Sequence, residues 1–463
     1  MSKPTALSGF PELLPAQRAV EQQVLDTLRE VFELHGFAGI ETRAVEPLDV
    51  LLRKGDTAKE VYLLRRLHET AEEGHAGFGL HFDLTVPFAR YVLEHAGHLE
   101  FPFRRYQLQK VWRGERPQDG RFREFTQADI DVVGRDVLPA HHDVEVTRVM
   151  VDALRRLDFL PGFTLQVNNR KLVVGAYAAL GLTEPAVVDE VMRLVDKLDK
   201  LPAAEVRTQL VAAGLDDATA GTVLDLAGIV TPDDTVAARV ADLLGADAVA
   251  GSPLLAEGLD ELSSLLRGVA DLVDDRTRVV ADLSIARGLD YYTGTVFETR
   301  LDGFESLGSI CSGGRYDALA TDGRTTYPGV GISFGVSRVV VPLVTRTGLA
   351  ADRSVPSAVL VALTDEDSRP ASDAVAAALR ARRIPCEVAA SAQRFGKQIR
   401  YAERRGIPYV WFPAPPAGTT GTTGSGAHQV KDIRSGDQVD ADPASWTPPT
   451  EDLRPRVQAK EQQ

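Results

Sequence analysis

Four arginines lie close together in the stretch VWRGERPQDGRFREFTQADID, which runs from residue 111 to residue 131. They are Arg113, Arg116, Arg121 and Arg123. The whole chain carries a formal net charge of -14, so this local excess of positive charge indicates an anionic ligand. Phosphate is the first candidate, because a guanidinium binds phosphate or carboxylate oxygens in a two-pronged geometry that lysine cannot reproduce.

The residues that follow these arginines have the spacing of one strand face. Every second side chain of a strand points to the same side of the sheet. The side chains aligned in this way are Arg123, Phe125, Gln127, Asp129 and Asp131. Such a row makes a poor hydrophobic core, but it suits the floor of a site for a ligand with a phosphate, a flat ring and an amino group.

Two further segments carry polar residues that are open to more than one interpretation. In LHFDLTVPFARY, Asp83 and Thr85 share a face if the segment is a strand, but either residue also suits a cap or turn before a helix. In ARGLDYYTGTVFE, Arg287 precedes the pair Tyr291 and Tyr292, and paired tyrosines are equally at home in a core with satisfied hydroxyls.

Glycine-rich turns in CSGGRYDAL and GVGISFGVSRVVV bring the backbone close to another group, although such motifs are weak evidence alone. Arg338 is more informative, because an arginine beside an apolar run generally needs an anionic or aromatic partner. Taken together, the arginines suit phosphates, Phe125 and Arg338 suit a purine, and the acids with Gln127 suit an ammonium group. The sequence therefore predicts a site for an amino acid and a nucleotide.

The composition bounds the class of protein that carries this site. The chain has 463 residues, which predicts two to four domains at roughly 100–200 residues each. No segment reaches the ~18 consecutive apolar residues of a membrane helix, and the N-terminus lacks a signal-peptide core. We therefore expect a soluble, cytoplasmic protein with no membrane partner. Cys311 and Cys386 are far apart and predict buried thiols instead of a disulfide or zinc site.

The acidic composition, with a pI near 5.2, argues against nonspecific coating of nucleic acid. Two basic patches, residues 104–123 and 394–405, still allow a local contact with nucleic acid, although each also fits a solvated charged face. We interpret Arg104 and Arg105 as residues of a solvated charged face, with no ligand contact.

Hydrophobic spacing divides the chain into regions. Residues 16–36 have helical spacing, and the segments up to about residue 170 favour antiparallel hairpins with helices. Residues 171–277 read as all-helical, and strand patterns then resume. After Pro356, strands alternate with helices, which is typical of an α/β domain with a mostly parallel sheet. Residues 413–427 are expected to form a mobile loop.

Five segments in order resemble the histidyl-tRNA synthetases, a family of class II aminoacyl-tRNA synthetases, up to about residue 440. AVEPLDVLL around Pro47, FRRYQLQKVWRGERPQDGRFREF and GVGISFGVSRVV resemble class II motifs 1, 2 and 3. RGLDYYTGTVFE and SGGRYDAL resemble the two histidine-specific motifs.

The resemblance implies an α+β class II core built on an antiparallel sheet, in a homodimer. We expect this core in residues 1–170 and 278–350, with a helical insertion domain at 171–277 between them. A C-terminal α/β anticodon-binding domain would occupy residues 356–440, and residues 441–463 are predicted to be a disordered tail.

The resemblance also implies a histidine–tRNA ligase that forms histidyl-adenylate from L-histidine and ATP, with Mg²⁺, and passes the histidyl group to tRNA(His). Asp83, Thr85 and Gln127 would hold the α-ammonium group, with Leu84 beside them.

Asp131 and Tyr292 would read the imidazole, and Tyr291 would line its pocket. Arg287 and Arg113 would be the catalytic residues, near the substrate carboxylate and the α-phosphate.

The resemblance places a further set of residues at ATP: Arg113, Glu115, Arg121, Arg123, Phe125 and Arg338. Phe125 and Arg338 would sandwich the adenine. Arg116 and Gln118 would contact the tRNA acceptor stem. No protein side chain is assigned as a metal ligand.

Two rival interpretations remain. A regulatory, histidine-binding paralogue of the synthetase core usually lacks the anticodon domain and loses catalytic arginines, whereas Arg113, Arg287 and Arg338 are present here. A class II synthetase for another amino acid is disfavoured by the RGLDYY and SGGRYD segments.

Overall fold

The computed structural model of the chain describes residues 5–52, 59–67, 77–286, 292–414 and 427–458. The predicted site residues Arg287 and Tyr291 lie outside the described residues, as does most of the expected loop at 413–427. The chain divides into two compact units, one of residues 1–11 and 24–342 and the other of residues 12–23 and 343–463.

Apolar residues at helical intervals determine where the helices form, and glycines follow some of their C-terminal ends. In the first, Val20, Val24 and Leu28 are buried at helical intervals, and Gly36 with φ of 80° follows its end. The helices are α1 (Pro15–Leu34), α2 (Leu48–Leu51), α3 (Thr85–His95), α4 (His141–Arg155), α5 (Arg170–Ala179), α6 (Pro185–Val195), α7 (Ala203–Ala212), α8 (Asp217–Ala227), α9 (Val236–Leu244), α10 (Ala246–Gly251), α11 (Pro253–Val269), α12 (Val336–Arg346), α13 (Arg369–Ala381) and α14 (Phe395–Arg405).

The strands of the first unit are β1 (Ala38–Gly39), β2 (Val45–Pro47), β3 (Leu63–Leu64), β4 (Phe78–Leu80), β5 (Phe103–Trp112), β6 (Glu124–Val133), β7 (Phe163–Asn169), β8 (Val230–Thr231), β9 (Thr277–Asp282), β10 (Thr295–Leu301), β11 (Cys311–Thr321) and β12 (Thr326–Gly335). Those of the second unit are β13 (Ala350–Ala351), β14 (Val359–Val361), β15 (Cys386–Val388), β16 (Tyr409–Phe412), β17 (Gln429–Asp432), β18 (Gln438–Asp440) and β19 (Val457–Gln458).

The first unit is built on a large, mostly antiparallel sheet. Among the described residues nine strands form it, in the order β1-β5-β6-β12-β11-β10-β7-β9-β8. The predicted hairpin is confirmed, since β5 and β6 pair antiparallel along their whole length. The centre of the sheet is β6 beside β12 and β11, so residues far apart in sequence meet there.

The segment at 171–277 is mostly helical, as predicted, and supplies the crossover that parallel strands β7 and β9 require. It is not all-helical, because Val230–Thr231 forms β8. This short strand pairs with β9 and covers the backbone groups that β9 would otherwise leave unpaired at the edge of the sheet.

The second unit has a five-stranded sheet in its described part, in the order β15-β14-β16-β17-β18. The predicted parallel pairing holds for β14 with β15 and β16, whereas β17 and β18 are antiparallel. Side chains of α13 bury one face of this sheet, and side chains of α14 bury the other.

The prediction of a disordered tail from residue 441 is wrong for residues 441–458. Trp446 packs edge-on against Trp411 in the core, with ring centroids 5.6 Å apart. Asp452 accepts a hydrogen bond of 2.7 Å from the Tyr409 hydroxyl, and β19 pairs with β13. Buried aromatic area and paired polar groups order this segment in spite of its prolines and charges.

Candidate active site

A cleft of about 190 Å³ opens where the β5–β6 hairpin meets β12 and the start of α12. The hairpin loop supplies cations to this cleft, β6 supplies a polar floor, and α12 supplies Arg338. Among the predicted site residues, six line it together: Arg113, Glu115, Arg121, Phe125, Gln127 and Arg338.

The cations of the cleft surround a flat aromatic surface. Arg113 donates from Nε to the Phe82 carbonyl oxygen at 3.0 Å, and its guanidinium lies 5.1 Å from the centre of the Phe125 ring. Burial, together with the nearby charges of Arg121 and Arg113, lowers the pKa of Arg338 to about 10. These cations repel one another, so an anion bound between them would be stabilised.

Carboxylates near Arg338 fit a magnesium ion carried by a polyphosphate. Glu115 lines the cleft, and the charges of Glu115 and Glu298 oppose the loss of positive charge on Arg338. Mg²⁺ prefers carboxylate oxygens together with phosphate oxygens. Within the described residues, no group of three or more His, Cys, Asp or Glu side chains could hold a metal alone.

The remaining loop residues lie away from the cleft lining. Arg116 and Gln118 are exposed at the tip of the hairpin, which turns at Gly120 with φ of 65°. Arg123 donates from Nε to the Glu115 carbonyl oxygen at 3.2 Å, and its backbone N–H donates to Gly9 at 2.7 Å. Arg123 therefore braces the loop in this structure.

The polar floor of the cleft is the strand face that the sequence predicted. Gln127 donates from Nε2 to the Ser333 hydroxyl at 2.8 Å. Its Oε1 and the Asp129 Oδ1 are buried without a hydrogen-bond partner in the described part of the chain. Burial raises the pKa of Asp129 to about 7, against the opposing charge of Arg105. Two buried acceptors side by side indicate a ligand that brings N–H donors.

Beyond Gln127 the floor ends in a hydrogen-bonding corner around Asp131. The Tyr316 hydroxyl donates to Asp131 Oδ1 at 2.9 Å. Burial raises the pKa of Tyr292, and the nearby negative charges of Asp131, Asp83 and Asp129 raise it further, so Tyr292 lies close to these acids. An acid and a tyrosine hydroxyl in one corner can address two nitrogens of one ring.

The glycine-rich motifs make room for this corner. A Cβ on Gly331 would lie 2.2 Å from Asp131 Oδ1, and a Cβ on Gly329 would lie 2.4 Å from the Tyr316 ring. A Cβ on Gly314 would lie 2.7 Å from the Tyr292 ring. Because these glycines have no side chain, Asp131, Tyr316 and Tyr292 can occupy the space beside them.

Asp83, Leu84 and Thr85 do not form the strand that the sequence allowed. Thr85 begins α3, and Asp83 Oδ1 accepts a hydrogen bond of 3.1 Å from the Val86 backbone N–H. The capping interpretation is therefore correct, because the first N–H groups of a helix need acceptors. Asp83 and Leu84 are buried, with 6% and 0% exposure.

The interpretation of Arg105 as a solvated residue is wrong. Its side chain is 0% exposed and lies 2.6 Å from Asp131 Oδ2. Arg105 stands directly opposite Asp131 in the β5–β6 register. Arg104 on the other strand face is half-buried, paired with Glu145. The spacing of Arg105, Gln107 and Gln109, polar at every second position, was the signal that could have placed Arg105 on the floor.

The antiparallel sheet, its arginine-bearing hairpin and Arg338 at the start of α12 are the features of a class II aminoacyl-tRNA synthetase core. A family model described as histidyl-tRNA synthetase matches residues 9–339, and one described as anticodon binding domain matches residues 339–412. The chain belongs to the histidyl-tRNA synthetase family.

Individual relatives agree with this family. A protein named histidine–tRNA ligase from Cutibacterium acnes is 55% identical, with 99% of each chain covered. One of the same name from Micrococcus luteus is 56% identical, again with 99% of each covered. The crystal structure of histidyl-tRNA synthetase from Nostoc sp. PCC 7120 matches with a TM-score of 0.83 at 34% identity, covering 95% of this chain and 97% of that one. These matches confirm the predicted fold class and ligase class.

No helix in the described residues has the length and apolar character needed to cross a bilayer.

Proposed function

We propose that this chain activates L-histidine with ATP and transfers the histidyl group to tRNA(His). The observation that carries the proposal is a cationic, aromatic cleft whose polar floor continues along β6 to an acidic end. Arg113, Phe125 and Arg338 form the first end, and Gln127 leads to Asp131 at the second. ATP supplies a purine and phosphates for the first, and histidine supplies an ammonium group and an imidazole for the second.

In the first step a histidine carboxylate oxygen attacks the α-phosphorus, and the bond from that phosphorus to the bridging oxygen breaks as pyrophosphate leaves. Two anions approach each other, so the cost is electrostatic. Arg113, at the cationic end of the cleft, would neutralise this charge, with Arg287 as its proposed partner. A preorganised donor of this kind is typically worth about 3–4 kcal/mol in the transition state.

The adenine would lie between Phe125 and Arg338, with Arg121 toward the phosphates. Glu115 and Glu298 would hold Mg²⁺ on the phosphate oxygens. When bound, this ion neutralises phosphate charge. The family resemblance assigns Arg123 to ATP. Arg123 would reach the phosphates once its hydrogen bond to the Glu115 carbonyl oxygen breaks.

Histidine selection is assigned to hydrogen bonds. The ammonium group would satisfy Gln127 Oε1, with Asp83 and Thr85 nearby, while Asp131 and Tyr292 would address the two imidazole nitrogens. Tyr291 is proposed to line the same pocket. A pocket built on such bonds rejects analogues that lack them by up to about 10⁴- to 10⁵-fold.

In the second step a ribose hydroxyl of the terminal tRNA adenosine attacks the carbonyl carbon and AMP leaves. Arg116 and Gln118 are proposed to contact the acceptor stem, since both are exposed at the hairpin tip. In the second unit a hollow of about 520 Å³ carries the exposed cations of α14, Lys397, Arg400 and Arg404. This hollow is the proposed anticodon contact.

A homodimer is proposed from the small sheet β2-β4-β3. Its exposed apolar side chains include Leu63 at 70%, Phe78 at 54% and Leu64 at 41% exposure. Exposed apolar patches of this kind mark interfaces, and a closed dimer would bury them. The cytoplasm, where protein synthesis uses charged tRNA, is the proposed compartment.

A regulatory paralogue without ligase activity fits less well. Arg113 and Arg338 line the cleft, and the anticodon-binding match is present. The test is ATP–pyrophosphate exchange by the purified chain with each of the twenty amino acids. We expect histidine to stimulate exchange. Stimulation by another amino acid in its place, or by none, would overturn the proposal.

A further inference from the structure

We propose that Arg105 is a positioning residue for histidine selection, which holds the Asp131 carboxylate charged and turned toward the bound imidazole. This inference rests on the proposed placement of the imidazole at Asp131. Arg105 need not touch either substrate, because its effect passes through Asp131.

The pairing of Arg105 with Asp131 is built into the strand register. The two residues are directly opposite in β5 and β6, and the Arg105 guanidinium nitrogen lies 2.6 Å from Asp131 Oδ2. Tyr316 donates to the other carboxylate oxygen at 2.9 Å. The ion pair at one oxygen and the hydrogen bond at the other restrict the orientation of the Asp131 carboxylate toward the proposed imidazole.

Packing prevents the Arg105 guanidinium from turning to solvent. Its central carbon lies 4.3 Å from the centre of the Phe88 ring, and one nitrogen donates to Gln107 Oε1 at 3.4 Å. Gln107 in turn donates to the Thr42 hydroxyl at 2.9 Å. A fully buried cation of this kind is stable when a carboxylate compensates it.

The charge balance of the pocket explains why a cation is needed there. The acids Asp83, Asp129 and Asp131 face one another near the hydroxyls of Tyr292 and Tyr316. Arg105 lies 3.9 Å from Asp129 as well as against Asp131. Asp129 already keeps its proton up to about pH 7 with Arg105 present. Without the guanidinium, the Asp129–Asp131 pair would keep a proton to higher pH and share it, because neighbouring buried carboxylates do not both ionise readily. A protonated Asp131 would not accept an imidazole N–H as well.

The test compares Arg105→Gln with Arg105→Lys in ATP–pyrophosphate exchange between pH 6 and pH 9. For Arg105→Gln we expect the KM for histidine to rise about 10- to 100-fold while the KM for ATP stays within about twofold. The acid limb of kcat/KM for histidine should move up by about one pH unit or more, because the carboxyl pair then keeps its proton longer. Arg105→Lys should recover part of both losses.

The matched control is Arg104→Gln on the opposite strand face, which should leave both KM values unchanged. The double variant Arg105→Gln with Asp131→Asn should lose no more histidine affinity than Asp131→Asn alone, because Arg105 acts through Asp131. It also removes both members of the buried pair, so it serves if Arg105→Gln alone does not fold.

An unchanged KM for histidine in folded Arg105→Gln, equal rises for both substrates, an unmoved pH profile, or additive losses in the double variant would overturn the inference. A normal KM for histidine in Asp131→Asn would instead overturn the proposed placement of the imidazole.

Discussion

At the scale of single residues, burial and a nearby cation have opposite effects on the pKa of Asp129, a carboxyl in the pocket floor. Asp129 is 3% exposed, and burial raises its pKa to about 7 although Arg105 lowers it. A carboxyl with this pKa is neutral in the folded protein at pH 5 and largely charged at pH 8. The unfolded chain releases the same proton near pH 4. Folding therefore takes up a proton at Asp129 between these values, and the contribution of Asp129 to stability falls as pH rises from about 4 to 7.

Replacing Asp129 by Asn removes this proton uptake. The free energy of unfolding of Asp129→Asn minus that of wild type should increase by about 2–3 kcal/mol as the pH rises from 5 to 7. Urea unfolding at a series of pH values measures this difference. Asp247→Asn, at an exposed aspartate of α10, is the control and should show no such trend. A difference for Asp129→Asn that does not change with pH would contradict the account.

Residue types and spacing predicted much of the site. Arg113, Phe125, Gln127 and Arg338 do line one cleft, because cations, an aromatic ring and polar groups on one strand face have few other uses. Arg105 was misread because its partner Asp131 is supplied by strand pairing 26 positions away, which local spacing does not reveal. The roles of Arg287 and Tyr291 stay predictions.

At the scale of elements, β12 shapes the pocket by what it omits. Gly329 and Gly331 lie against Tyr316 and Asp131, and their missing side chains leave room for these two residues. This arrangement requires β6, β12 and β11 to stay in register, and the hairpin and the long antiparallel pairs fix that register.

Adding one methyl group to β12 should therefore disturb Asp131 specifically. A Cβ on Gly331 would lie 2.2 Å from Asp131 Oδ1 and 2.6 Å from the Ile130 carbonyl oxygen. Gly331→Ala should lose about 1–3 kcal/mol of stability and raise the KM for histidine about tenfold or more. Thermal unfolding and pyrophosphate exchange measure these effects.

Gly251→Ala at the end of α10 has open space around its Cβ and should change neither quantity. If Gly331→Ala bound histidine normally, the glycine would not be making room for Asp131.

The long elements were predictable from sequence, and the short ones were not. Periodic apolar residues defined α1, α13 and α14, whereas two-residue strands such as β8 and β19 depend on a partner edge that only the fold supplies. The composition of residues 441–458 predicted disorder, but Trp446 packs against the core of the second unit and the segment is ordered.

At the scale of the whole molecule, the two units carry separate tasks in the proposed function. The cleft for adenylate formation belongs to the first unit, and the basic hollow of α14 belongs to the second. Three exposed cations of α14 thus lie together at the proposed tRNA contact of an acidic chain. Local cations of this kind contribute affinity through phosphate contacts and counterion release.

Removing that charge should separate the two steps. The triple variant Lys397→Ala, Arg400→Ala, Arg404→Ala should raise the KM for tRNA about tenfold or more in aminoacylation, and leave pyrophosphate exchange unchanged. Arg454→Ala removes an exposed arginine of the same unit outside the hollow and is the control. An unchanged KM for tRNA in the folded triple variant would exclude the hollow as the anticodon contact.

The most direct test of the cleft as a joint site for histidine and ATP is pyrophosphate exchange by Asp131→Asn and Arg338→Gln, with the KM for each substrate measured in each variant. We expect opposite selectivity: Asp131→Asn should raise the KM for histidine at least about tenfold with little change for ATP, and Arg338→Gln should do the reverse. Equal effects of both variants on both substrates, or effects on the wrong substrate, would contradict the account.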